Sequence, residues 1–583
     1  MLFRTIIDGE PASSYSNCVF DLTTDILVVG LGTAGALSAI AAARKGASVI
    51  GVDRTAFLGG LGTAACIYDY YYGTQGGIVI PINEECYDKI NQKKYASSGG
   101  RSFRDESLPS AVKDDTLRKY ALEAGCKLLL QTSVIGVFME NDRVVGAQVF
   151  DGKKLINIGC RILIDGTDGI VCRMAGCKFS YGRPSDGHTL GFSHIRGFIL
   201  NSNLVRGGWS VYGMPESASA AEWTYKILDS ALTYDGGRQV CEASLMGTRE
   251  VPTVVTDETY TLEDYAVGKR TGQPLFYGFS KVDNINSDYQ NETDTLQDWE
   301  IICRMSHYGI SVGIAAGTMI PKGVDGLMIV SRAKGLGHDM ASCLRMKYDM
   351  EKSGESAAYI AVMACRNNCS VRSVKYEEVL PFLLESGCLD YGHDTGICNL
   401  NEPYRDPEHG LLWRAIDLPE DIEGIRTVLA SHEPGPVMWQ LRNHCSDEQR
   451  SALIKWMSGD ERLLAENSAI VLGMRGDTVA IPMLRSILSE PPVGYYHSVP
   501  KIKNVFGWLM DSPFCNYTKA IILLGRFNDS ESIPVFEDIC KDGGMKAAAS
   551  MTLEHGCPSR ETYAEEFAAF AEAALRGKGR RRE

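Results

Sequence analysis

Hydrophobic positions are first patterned at residues 25–29, an aliphatic run too short for a helix and rich in β-branched side chains, which reads as a buried parallel strand ending at Gly30. An alanine-rich helical pattern follows over about 34–45 and stops at Gly46, a C-cap position. A second strand, 48–52, ends in Asp53. Ahead of this unit, residues 1–24 are expected to form a short strand or hairpin. After it the pattern predicts a loop over 64–80, helices over 82–93 and 111–125, and strands over 127–132, 134–139, 144–150 and 154–158. Turns at Asn141-Asp142 and Asp151-Gly152 separate the strands. A further apolar run, 161–164, feeds the sequence Asp165-Gly166-Thr167-Asp168-Gly169. Residues 184–305 are irregular, 390–420 are loop-rich, and the rest is helical.

The spacing at the first strand carries chemistry. Gly30, Gly32 and Gly35 form G-x-G-x-x-G between strand and helix. Gly30 permits the tight turn, Gly32 lets a pyrophosphate approach the backbone, and Gly35 lets the helix pack on the sheet. The helix N-terminus, with Thr33 and Ala34 at its start, offers free N–H groups and a partial positive charge to the phosphates. Asp53 stands where a carboxylate accepts hydrogen bonds from a ribose diol. Arg54 beside it has two readings, a contact to phosphate or adenine, or a solvated surface arginine.

A second glycine cluster follows, Gly59-Gly60-Leu61-Gly62-Thr63. Strand, G-x-G-x-x-G, strand-end acid and Gly-Gly turn together resemble the FAD-binding segment of glutathione-reductase-type flavoproteins. The LGGLGT form is similar to a family of FAD-dependent oxidoreductases distantly related to fumarate reductase flavoproteins. The resemblance implies an α/β fold: a Rossmann-like FAD-binding domain with a β-meander and an inserted α+β substrate domain. It favours FAD over a nicotinamide dinucleotide. Among tyrosines 68 and 70–72, it implies an approach to the flavin, with aromatic packing under a loop as the other reading. Cys66 reads either as a covalent flavin link or as a small apolar residue.

Further segments extend the resemblance. It implies that Val134 holds adenine through its backbone and that Asp165, Thr167 and Asp168 form a second cofactor contact, although the family's usual order has Gly-Asp where this chain has Asp168-Gly169. It implies a third contact at Arg332, with Ser331 replacing a glycine. A helix over 354–366 that begins at Gly-Glu-Ser would aim its positive end, with Ser356, at the flavin pyrimidine edge. His338 and Arg345 share the intervening segment and are the expected catalytic residues, His338 as acid–base group or as a histidine bonded to flavin or core. Asp339 and Tyr348 are alternative proton carriers. Arg249, from an arginine pair reduced here to Arg249-Glu250, is expected to hold a substrate carboxylate or hydroxyl, or else a buried ion pair with Asp264 or Glu263.

The implied division is FAD-binding domain 1–183 and 306–389, substrate domain 184–305, linker 390–420, helical domain 421–575 and basic tail 576–583. In the helical part, Leu472-Gly473 and Ile481-Pro482 recur as Leu524-Gly525 and Ile533-Pro534, displaced by 52 residues. Each copy reads as two helices about a turn containing Asp477 or Asp529, as in an all-α HEAT-like repeat, with weaker copies at 437–458 and 546–575.

Composition narrows the function. The net charge of −14 over 583 residues argues against nucleic acid and anionic membranes as partners, and against an RNA-modifying role. No run is long and apolar enough for a membrane span, and the N-terminus shows no export signal, so a cytoplasmic location is expected. The 18 cysteines include no C-x-x-C, so neither a metal nor an Fe–S centre is expected. The sequence therefore points to an FAD-dependent oxidoreductase acting on a small polar metabolite by hydride transfer at flavin N5, with an unidentified soluble electron donor or acceptor and a possible homo-oligomer. The alternative is a non-catalytic scaffold with a flavoprotein fold that works through its HEAT-like domain.

Overall fold

The computed structural model describes residues 1–67, 70–92, 108–190, 192–200, 204–212, 238–242, 245, 247–283, 289–494, 515–553 and 559–577. Its centre is one sheet in the order β2-β1-β6-β7-β8-β3-β4-β5. The strands are β1 (Leu2–Ile7), β2 (Glu10–Tyr15), β3 (Leu22–Val29), β4 (Val49–Val52), β5 (Lys127–Leu129), β6 (Ser133–Glu140), β7 (Arg143–Phe150) and β8 (Leu155–Asp165). β3, β4 and β5 run parallel, with Ile26–Val29 fully covered, as strands buried on both faces require. β1, β2, β6 and β7 pair antiparallel, so the N-terminal residues do form a hairpin and it extends the meander.

β8 corrects one expectation. The two runs at 154–158 and 161–164 form a single strand, antiparallel to β7 up to Gly159 and parallel to β3 from Ile158 onward. Beyond Gly159 the strand Leu327–Ile329 takes over the β7 side. The register aligns Val29, Asp165 and Ile329, and pairs Val29 with Val52. The C-terminal ends of four parallel strands therefore open onto one edge, where ligands of open α/β sheets bind.

Helix α1 (Thr33–Arg44) packs on the sheet and on the helix Lys347–Asn367. Small residues bring their backbones together: Ser38 Oγ donates to Gly354 O at 2.8 Å. The long helix thus begins two turns before the expected start at 354. Its first turns read as polar, yet Asp349, Glu351 and Lys352 are buried with partners: Lys113 lies 3.3 Å from Glu351, and Lys352 donates to Tyr277 O at 2.8 Å.

A second sheet joins the strands Phe276–Lys281, Tyr308–Ile314, Ile397–Asp406 and Gly410–Ala415. The expected linker 390–420 therefore carries a β-hairpin, and this sheet joins strands from inside and beyond 184–305. Helices follow from Ile422, and each 52-residue copy is a helix pair: Arg462–Met474 with Ile481–Ser489, and Asn516–Phe527 with Ile533–Lys541. The turn aspartates Asp477 and Asp529 each pair with an arginine of a preceding helix, Arg450 and Arg485. All but the first two residues of the basic tail lie outside the described residues.

Candidate active site

Three glycine-bearing loops meet at the sheet edge, backbone against backbone. A Cβ on Gly30 would lie 2.6 Å from Gly166 C, one on Gly35 1.9 Å from Gly30 O, and one on Gly60 2.8 Å from Gly32 Cα. At Gly32 itself the nearest atom would be 3.9 Å away, so here missing side-chain volume leaves room in front of the helix. Gly32 is the N-cap of α1, no side chain caps the helix, and its first turn holds no acid. This cradle fits a dinucleotide pyrophosphate.

Asp53 accepts from Leu31 N at 2.7 Å through Oδ2, and from Thr55 N at 2.7 Å and Thr55 Oγ1 at 2.8 Å through Oδ1. It braces the glycine loop and keeps lone pairs for a ribose. Gly59 N donates to Leu31 O at 2.9 Å and its carbonyl accepts from Thr33 Oγ1 at 3.1 Å, tying the two glycine clusters together. Val134 follows residues 131–132, which bond along Asp53 and Thr55. Arg54 is exposed and forms no ion pair among the described residues. The structure reassigns three expected contacts. Thr63 is buried and donates to Leu58 O at 2.6 Å, so it shapes its own turn, while Gly62 beside it faces Lys347. Asp165 is buried and accepts from Thr167 N, Thr167 Oγ1 and Cys172 N, so it and Thr167 fold the loop that carries Gly166. Ser356 lies inside the long helix, fully buried and bonded to Ser353 O, because that helix starts earlier.

Asp168, at φ +60°, pairs with Arg332, and Arg332 also donates to the carbonyl and hydroxyl of Thr248. Thr248 opens a short stretch, Thr248-Arg249-Glu250, that leads from the cofactor loops into two charge clusters. Arg249 Nε lies 4.0 Å from Asp283 Oδ2, which also receives Arg345, and Lys281 Nζ stands 3.4 Å from Asp283 Oδ1. Burial works against the Asp283 charge, but Lys281, Arg345 and Arg249 outweigh it and hold the carboxyl at about 2. Burial and the Arg345 charge bring the Arg249 guanidinium down to about 10. Tyr71 belongs to the same cluster; burial and Asp283 push its phenol well up. Arg249 and Arg345 are thus brought together, while the partners expected for Arg249 are engaged elsewhere: Asp264 caps its own helix and Glu263 pairs with Arg442.

Glu250 turns the other way, onto His338. Nδ1 of His338 lies 2.7 Å from Glu250 and Nε2 lies 3.0 Å from Glu292, with the ring 1% exposed. Burial would lower its pKa, but the two carboxylates raise it to about 10. His338 is therefore an imidazolium donating from both nitrogens, and the expected acid–base role is corrected: neither nitrogen is left to exchange a proton with a substrate. Arg183 also pairs with Glu292, at 3.3 Å. Asp339 accepts from Leu262 N, Met340 N and Thr293 Oγ1, a structural arrangement, and Tyr348 packs against Tyr70 with the rings tilted by 38° and their centres 4.3 Å apart. Tyr68 lies outside the described residues. Sequence reasoning missed Asp283, Glu292 and Lys281, which sit in the irregular segment without spacing or motif to mark them.

A parallel-sheet edge with interlocked glycine loops, an uncapped helix N-terminus and a strand-end acid defines a dinucleotide-binding protein of the α/β flavoprotein class. The chain belongs to the FAD dependent oxidoreductase family, whose model matches residues 25–193 and 208–383, more than half its length. FAD is its cofactor. The digeranylgeranylglycerophospholipid reductases of Methanosarcina acetivorans and Methanosarcina mazei are 25% and 26% identical over 224 and 230 residues. These matches cover 35% and 36% of this chain and 54% and 55% of those proteins, so the chain spans about half the length of the curated relatives it matches. Among solved structures, a geranylgeranyl bacteriochlorophyll reductase-like protein of Thermoplasma acidophilum matches with 14% identity and TM-score 0.32, over 80% of this chain and 99% of that one. The anhydrotetracycline hydroxylase OxyS of Streptomyces rimosus matches with 11% identity and TM-score 0.34, over 63% and 66%.

Proposed function

We propose that this oxidoreductase acts on a small polar metabolite bound beside the Arg249–Asp283–Arg345 cluster, oxidising a C–OH or C–N bond or reducing an activated C=C. The observation that supports this reading is the stretch Thr248-Arg249-Glu250, which joins the Arg332–Asp168 pair at the cofactor loops to two buried charge clusters. When bound, FAD supplies two-electron chemistry at its N5 position. The chain's own residues do the rest. Gly30, Gly32, Gly35 and the N-terminus of α1 hold the pyrophosphate, and Asp53 the ribose. Arg249 and Arg345 present guanidinium donors to a substrate oxygen, and their burial strengthens that contact. The His338 imidazolium fixes Glu250 and Glu292, and so holds the Arg249 backbone in place.

The C-terminal helices are read as a HEAT-like solenoid, supported by the 52-residue repeat and its paired turn aspartates. A soluble electron partner, a cytoplasmic location and a homo-oligomer complete the proposal. Among the described residues no helix is long and apolar enough to cross a membrane. The test is anaerobic mixing of the FAD-loaded protein with hydroxy acids and amino acids, and of its dithionite-reduced form with unsaturated carboxylates, followed at the flavin absorption band. Bleaching by a donor or reoxidation by an acceptor identifies the reaction and its direction. A flavin that dithionite reduces but no metabolite affects overturns the reading.

A further inference from the structure

Beside the Asp283 cluster lies a carboxyl that nothing above employs. Glu300 sits in a single π-turn, Asp298–Ile302, a distortion that recurs at functional sites. The residue is 5% exposed, and its Oε1 is buried without a hydrogen-bond partner among the described residues. A buried carboxyl oxygen left unbonded is costly and calls for an explanation, and a proton or a ligand that uses it is one. Its titratable surroundings come from four elements: Lys281 from the strand Phe276–Lys281, Asp283 just beyond it, Tyr289 from the turn Tyr289–Asn291, and Cys343 after the turn that follows His338. The Asp283 whose charge it feels is paired with Arg345 and Arg249.

We propose that Glu300 is the proton carrier of the substrate site, exchanging one proton with an oxygen or nitrogen of an anionic substrate held by Arg249 and Arg345. This rests on the placement of the substrate given above. In the exchange one carboxyl O–H bond breaks and one O–H or N–H bond forms on the substrate, with no change in electron count. The carboxylate left behind is favoured by the nearby Lys281 charge. The reverse transfer regenerates the acid. Burial and the Asp283 charge, against the pull of Lys281, raise the Glu300 carboxyl to about 8, so that it carries its proton at neutral pH. His338, tied up by two carboxylates, does not compete for this role.

The inference predicts a coupling that needs no knowledge of the natural substrate. An ionised Glu300 repels an anion, so binding of acetate, used as the probe and followed by perturbation of the bound flavin's absorption, weakens as pH rises through about 8. The expected loss is about tenfold, within the usual range of site-to-site coupling. In E300Q, which keeps the shape of the neutral acid, acetate affinity stays flat across the same range. Retained flavin absorption shows that the variant is folded. If E300Q does not hold FAD, infrared difference spectra of the wild type decide: a protonated-carboxyl band that disappears through about 8 supports the proposal, and its absence overturns it. A pH dependence that survives in E300Q overturns the role of Glu300 alone. Acetate affinity unchanged in both R249A and R345A, or no acetate binding at any pH, overturns the placement of the substrate and the proton carrier with it.

Discussion

At His338 two carboxylates decide the protonation state. The folded pKa of about 10 lies above the ordinary 6.5, so the stabilisation from proton binding is fully present below 6.5 and is lost as pH rises towards 10. The thermal midpoint of the wild type is therefore expected to fall over that interval, and the fall is expected to be much smaller in H338Q, measured by calorimetry across the same pH series. Arg345 gives a second prediction. R345A is expected to weaken binding of a carboxylate ligand by roughly 10- to 100-fold, the range for a hydrogen bond to a charged group. R345K retains the charge but loses the planar fork, and is expected to fall between wild type and R345A, read by titration of the flavin spectrum. The sequence marks His338 and Arg345 as site residues because they sit in a segment that resembles a known family. It does not show that Glu250 and Glu292 hold the histidine, because neither carboxylate is near it in the chain.

Where two helices cross, single atoms decide. Gly354 touches α1 so closely that an added Cβ would lie 1.9 Å from Ala34 O. Alanine is favoured over glycine inside a helix by about 1 kcal/mol. The clash with backbone outweighs that gain, since overpacking typically costs about 1–3 kcal/mol. G354A is expected to lower both stability and FAD content, because Ala34 belongs to the first turn of α1; thermal unfolding and the ratio of flavin to protein absorbance check this. This glycine reads from sequence as a helix start, since the preceding residues are polar. Buried partners such as Lys113 and Tyr277 reverse that reading, and they come from distant elements. By contrast α1 and β4 stand within a residue of the positions their pattern predicts, and β3 ends where expected although it starts three residues earlier, because strand, turn and helix there are set by neighbouring residues.

The C-terminal helices are built into the molecule at one acid. Asp298, 1% exposed, receives Arg442 at 2.8 Å and Arg526 at 2.7 Å, both from those helices. Gly435 meets the same segment, where a Cβ would lie 1.9 Å from Cys303 O. Asp298 follows Glu292 by six residues and opens the π-turn of Glu300, so the helices steady the segment that supplies both carboxylates. D298A leaves Arg442 with Glu263 and Arg526 with Asp294 as their remaining acids and is expected to cost about 1–3 kcal/mol, the range for lost hydrogen bonds to a charged group. Denaturant unfolding measures it. A chain ended before residue 421 is expected to lose flavin or to aggregate, for the same reason; flavin content and gel filtration check that.

The sequence by itself determined the glycine cradle and the opening strand–helix–strand unit, since each is written in residues close along the chain, and its resemblance to a flavoprotein family pointed to the cofactor. Only the tertiary structure decided that Arg249 and Arg345 share Asp283, that His338 is a fixed imidazolium, and that an unbonded Glu300 lies beside them. Those groups come from separate elements in a region without periodicity. Their charge states depend on burial and on partners tens of residues away, which local spacing does not encode.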